Sequence, residues 1–173
     1  MNIIALDASL SSTGYCIMDD NKEVIDCGKI TTNSKNKDSH RISFICKKCE
    51  ELIIIYDIKC VVIEGQFVSR NKNTAMKLSR LFGAIMYLSQ IHDIDIISIE
   101  PNRVRSILLH GDCDKEEMAK FILDSYEFNC IVTSIGPYSD KSNKAKTSDI
   151  YDSISIGMAY MVGIENGEEF KPI

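Results

Sequence analysis

No apolar run in this chain is long enough to cross a bilayer; runs such as residues 52–56 stop after a turn or so of helix. The start, Met1-Asn2-Ile3-Ile4-Ala5-Leu6-Asp7, lacks the basic segment of a secretory leader, so none is expected. Cationic charge is short as well. Twenty Lys+Arg against 25 Asp+Glu leave a formal charge of −5, which excludes a uniformly cationic coat for nucleic acid. A disulfide framework is also missing: the seven cysteines are odd in number, and most sit inside apolar runs, as reduced thiols do in the cytoplasm, the expected compartment. Cys46 and Cys49 have the spacing of a zinc pair without a second pair to complete it. They share a helical stripe over residues 40–56 with Ile42, Ile45, Leu52, Ile53 and Tyr56, which makes them core residues. There is no repeat, low-complexity tract or linker, so residues 1–173 are expected to form one domain.

What is present reads as alternating strands and helices. Residues 2–7 form an apolar strand ending in Asp7, and a small-residue turn through Ser9, Ser11, Ser12, Thr13 and Gly14 leads to a second strand at 15–18. A turn at Asp19-Asp20-Asn21 gives a third strand at 23–30. After the first helix, Cys60-Val61-Val62-Ile63 is a β-branched run of the kind buried on both faces, ending in Glu64. A long helix follows over 74–91, with Leu78, Leu81, Phe82, Ile85 and Leu88 at helical spacing. A fifth strand at 94–99 precedes helices at 101–110 and 114–126. Residues 133–148 read as a lysine-bearing loop, and a last helix runs over 148–162 until Gly163 stops it. The implied fold class is α/β, a five-stranded mixed sheet with three antiparallel and then two parallel strands, and helices on both faces.

The acids carry the chemistry. Asp7 and Glu64 close two strands expected to be parallel neighbours, which would bring them to one sheet edge. Asp149 and Asp152, three apart, share one face of the last helix, in what reads as its first turn, where the macrodipole favours ionised carboxylates. Four bare carboxylates together would repel one another, and a set of hard oxygen ligands suits Mg²⁺ or Mn²⁺ rather than zinc. Two such ions per site, roughly 3.5–4 Å apart, would activate a water and stabilise the leaving oxygen of a phosphodiester.

With those residues in place, the chain resembles the RuvC group of Holliday-junction resolvases, within the RNase H-like nuclease superfamily. The resemblance rests on Ala5-Leu6-Asp7 followed by Ser12-Thr13-Gly14-Tyr15, and on Val61-Val62-Ile63-Glu64 followed by Gln66-Phe67. The Ala75-Met76-Lys77-Leu78 helix start and Asp149-x-x-Asp152 complete it. It implies a junction endonuclease, with Asp7, Glu64, Asp149 and Asp152 as catalytic metal ligands and Phe67 as an aromatic pressed against unstacked bases. It also implies a homodimer, in which the long helix after Glu64 takes part. The family's first motif commonly reads Asp-x-Gly, where this chain has Asp7-Ala8-Ser9 and so lacks glycine's conformational freedom. That departure, in a short chain rich in Ile, Lys and Asn, points to a phage-like or low-GC branch.

Charge taken by segment then suggests where DNA would lie. Arg70, Lys72, Lys77 and Arg80 follow Glu64 with no acid among them; Arg103, Arg105 and Lys115 come next; Lys141, Lys144 and Lys146 precede Asp149. These are candidate phosphate contacts that position the backbone rather than read bases. Lys115 or Lys146 is the candidate for stabilising the transition state. The acids Glu165, Glu168 and Glu169 gather beyond the last helix. Rival readings are an RNase H-like nuclease acting on flapped DNA or RNA-containing substrates, and a non-catalytic module that binds branched DNA. An actin-like sugar kinase would need a second domain for which 173 residues leave no room.

Overall fold

The computed structural model describes residues 1–65, 72–127, 129–136 and 141–173, with the backbone alone described for 141–146. The chain order is β1 (Asn2–Asp7), β2 (Ser12–Met18), β3 (Val24–Thr31), α1 (Asp38–Ile55), β4 (Ile58–Glu64), α2 (Lys72–Ile91), β5 (Asp95–Ile99), α3 (Pro101–Leu108), α4 (Lys115–Ser125), α5 (Cys130–Ile135) and α6 (Lys141–Glu165). The sheet order is β3-β2-β1-β4-β5. β1 to β3 form an antiparallel meander, and β4 runs parallel to both β1 and β5. This is the mixed five-stranded sheet expected from the pattern.

Strand periodicity sorts the core into two layers. Ile3, Ala5, Cys16, Met18, Val62, Ile97 and Ile99 face a cluster built with α3 to α6. Ile4, Leu6, Ile17, Val61, Ile63 and Ile96 face the other way, against α1 and α2. The central strands therefore read as unbroken apolar runs because both faces are covered. On α1 the stripe seats Ile45, Cys49 and Ile53 in the second layer, with Ile42, Cys46, Leu52 and Tyr56 packed around them. Burial pushes the Cys49 thiol up to about 12.

Three local readings need correction. β2 begins at Ser12, so the turn after β1 is shorter than the run of small residues suggests. The segment 133–148 is not one long loop, because α5 occupies Cys130–Ile135 and α6 begins at Lys141. Asparagine caps α5: Asn129 Oδ1 accepts from the Ile131 and Val132 amides at 3.0 and 3.2 Å. At its far end α6 runs through Gly163 to Glu165, and the chain turns at Gly167, with φ of 79°. The α2 stripe holds as read: Leu81, Ile85 and Leu88 are buried in the protein's own core, and the large apolar side chains the helix exposes are Met76, Met86, Tyr87 and Ile91. No helix among the described residues is long and apolar enough to cross a membrane.

Candidate active site

The parallel register pairs Leu6 with Ile63, so the next residues, Asp7 and Glu64, leave neighbouring strands side by side at the same end. Asp7 is also paired with Gly14 across β1 and β2. That glycine decides where α6 lies: a Cβ at position 14 would fall 1.9 Å from the Asp149 carbonyl oxygen. Only a residue without a side chain lets the helix backbone approach β2 this closely and bring Asp149 over the Asp7–Gly14 pair. Asp152 follows one turn later and pairs with Lys115, the first residue of α4. Asp114 and Glu117 fix that helix start as a reciprocal capping box.

Asp7, Glu64, Asp149 and Asp152 line one cavity of about 320 Å³, together with Arg105, Lys115, Ser155 and the apolar Val104 and Met118. Burial is the main reason the Asp7 carboxyl is pushed up to about 7; the charges of Asp152, Glu64 and Asp149 raise it further and Lys115 opposes them. Glu64 is raised by burial and then by Asp152, against Lys115 and Arg105. Burial also raises Asp152, while its hydrogen bond and ion pair with Lys115 pull it back. The acids share the cavity without converging: among the described residues no three His, Cys, Asp or Glu side chains are arranged to hold a metal ion as they stand. Mutual repulsion and the pull of Lys115 on Asp152 fit that spread. A larger cavity, about 390 Å³ between β3 and α1, has only Glu51 as a carboxylate, tied to Lys48 at 2.6 Å.

Asp149 and Asp152 lie nine and twelve residues into α6, counting Lys141 as the first, not in its first turn. The helix macrodipole therefore does not act on them as on a first turn, and what raises Asp152 is chiefly burial. The glycine missing after Asp7 is not needed either. Ser9 keeps an ordinary backbone conformation; its Oγ donates to the Ser12 carbonyl at 2.9 Å, and its carbonyl accepts from Thr13 Oγ1 at 2.7 Å.

The basic candidates separate. Arg105 and Lys115 line the acidic cavity. Lys72 and Arg80 are exposed on α2, and Lys77 pairs with Asp38 at 3.3 Å. Arg103 turns away to Glu168 and Phe170. Phe67 and Arg70 lie outside the described residues, as do the side chains of Lys141, Lys144 and Lys146. One residue escaped the sequence reading: Arg41, 5% exposed, donates to Thr32 Oγ1 at 2.8 Å and Ser11 Oγ at 3.3 Å, tying α1 to the loop after Asp7. A cation in a polar helix turn gave no sign of burial.

Residues 3–134 match the family model described as crossover junction endodeoxyribonuclease RuvC. The chain is similar to curated proteins of that description, at 32% identity over 126 residues for the Rickettsia conorii protein and 29% for that of Rickettsia bellii. Each alignment covers 70% of this chain and 80% of the relative. Among solved structures, Thermus thermophilus RuvC in complex with a Holliday junction substrate superposes with a TM-score of 0.80 at 17% identity, covering 100% of this chain and 99% of that one. Fowlpox virus resolvase with its Holliday junction DNA gives 0.60 at 16% identity, covering 95% and 99%. These likenesses show the RNase H-like fold. The family match ends before α6, the helix that carries Asp149 and Asp152.

Proposed function

The chain belongs to the RuvC family of crossover junction endodeoxyribonucleases, and we propose that Asp7, Glu64, Asp149 and Asp152 are the ligands of its catalytic metal. It is an endonuclease that resolves Holliday junctions, and its family is metal-dependent. The observation that carries the site assignment is the shared cavity: four carboxylates from β1, β4 and α6, with two cations on the wall. The donor set is all oxygen, which fits a hard divalent cation such as Mg²⁺ or Mn²⁺, and four carboxylates are enough to hold two per site. A buried Asp7 raised by three neighbouring acids is also the environment a dication would relieve.

When bound, such ions supply charge stabilisation for the phosphodiester and its leaving oxygen. The chain's own residues do the rest. Asp7 gives up its proton above about pH 7 and becomes a full-charge donor. Lys115, held by Asp152, lines the cavity with its side chain more than half exposed, where an entering phosphate can draw it away. Arg105 adds a second positive charge beside Glu64. Lys72, Lys77 and Arg80, on the exposed side of α2, carry the DNA backbone toward this edge. Products carry 5′ phosphates and 3′ hydroxyls.

Paired symmetric nicks call for two sites related by a twofold axis. The apolar groups that α2 leaves in solvent, Tyr87 at 70% and Ile91 at 57% exposed, support a homodimer through this helix. Two core layers sharing one sheet support a single nuclease domain over residues 1–173. Seven free thiols, most of them covered, suit the reducing cytoplasm. A panel of labelled four-way junction, flap, duplex and RNA–DNA hybrid, each with Mg²⁺, tests the reading. Paired cuts across the junction are expected; preferential cutting of the flap or hybrid would replace it.

A further inference from the structure

The eight chain-terminal residues after α6 do more than end the fold. They fold back across α3 toward the sheet edge. Glu168 accepts from Arg103 Nε at 3.1 Å and from an Nη at 2.7 Å, and the Arg103 guanidinium lies 4.8 Å from the Phe170 ring centroid. The same ring packs on Tyr160 of α6 at 5.2 Å between centroids. Gly163 makes room for it, since a Cβ there would fall 2.6 Å from Phe170 Cζ. Further on, Pro172 bridges to Ile97, and the Ile173 amide donates to the Ile96 carbonyl at 3.0 Å, covering the open edge of β5.

What this arrangement grips is α3, a helix of eight residues with only Val104 buried. A helix that short has little stability of its own, so its place and rotation are set by its neighbours. Arg103 and Arg105 are two residues apart; at about 100° per residue their side chains leave the helix on nearly opposite sides. Arg103 meets the tail, and Arg105 enters the acidic cavity. Pinning the first therefore fixes the direction of the second.

We propose that residues 167–173 are a strap that sets the rotation of α3, and that Arg103, Glu168 and Phe170 are positioning residues acting through Arg105. This rests on the nuclease reading. It reassigns Arg103 from DNA contact to internal clasp and gives the tail acid Glu168 a role.

The test is a double-mutant cycle on junction cleavage at saturating DNA. Phe170→Ala, and the milder Phe170→Leu and Glu168→Gln, should lower kcat, by roughly tenfold for Phe170→Ala. Junction affinity should be unchanged. In an Arg105→Ala background the same changes should have no further effect. An equal loss in both backgrounds would mean general destabilisation and would overturn the strap. So would unaltered kcat in the single variants, or tighter junction binding by Glu168→Gln, the sign expected if Arg103 contacts DNA directly. Should the wild-type protein fail to cut, the nuclease reading falls by itself, and hydrogen exchange at residues 101–108 decides the strap. Faster exchange in Phe170→Leu supports it, and unchanged exchange refutes it.

Discussion

Replacing Asp7 by asparagine should make the metal-free protein more stable at pH 8, by an amount that the site itself sets. The Asp7 carboxyl is raised from 3.8 to about 7 by burial and by three neighbouring acids. At roughly 1.4 kcal/mol for each pH unit between those values, keeping Asp7 ionised costs the native state up to about 4 kcal/mol. The folded protein binds this proton more tightly than the unfolded chain does. The group's contribution is therefore fully present below about pH 4 and lost as pH rises to about 7. Asparagine stays neutral throughout and loses nothing. Urea denaturation of both proteins with a chelator, at pH 4 and pH 8, measures the difference directly. The variant should match the wild type at pH 4 and exceed it at pH 8. Millimolar Mg²⁺ at pH 8 should then raise the wild type more than the variant. An Asp7→Asn protein no more stable than the wild type at pH 8, or stabilised equally at both pH values, would refute the electrostatic account of the site.

Lys115→Met removes the charge that lowers Asp7, Glu64 and Asp152. The acid limb of the pH–rate profile should move up, and single-turnover cleavage should fall about 10²-fold; an unmoved profile would contradict the role given to this lysine. Gly14→Ala places a Cβ 1.9 Å from the Asp149 carbonyl oxygen, so a thermal melt should show a loss of about 1–3 kcal/mol together with weakened cleavage. A variant that melts and cuts like the wild type would show that β2 and α6 need no such approach. Tyr87→Asp should turn a dimer into a monomer in sedimentation and uncouple the two nicks, while an unchanged mass would move the dimer contact off this face of α2.

Much of the fold is legible because it is written in local pattern. β4 announces itself as an unbroken β-branched run, and the stripes on α1 and α2 repeat at helical spacing. Two strands that end in acids and lie parallel side by side bring Asp7 and Glu64 together by topology alone. The misread parts depend on distant partners. Residues 141–148 are polar and follow Gly136-Pro137, so no apolar period reveals the first turns of α6. Gly163 looks like a stop signal, whereas its missing side chain is space for Phe170, seven residues on. Arg41 carries no local signal and Arg103 reads as a phosphate contact; one is buried against the loop after Asp7 and the other is clasped by the tail. The role of Gly14 rests on a helix more than 130 residues later, a contact no sequence window contains.

If the carboxylate cavity cuts DNA through bound metal, Mg²⁺-dependent cleavage of a four-way junction must depend on Asp7; wild type and Asp7→Asn are compared, with binding measured on the same substrate. The wild type should give paired nicks and the variant should lose cleavage while keeping its binding. Metal-dependent cutting by Asp7→Asn at the wild-type rate would contradict that dependence.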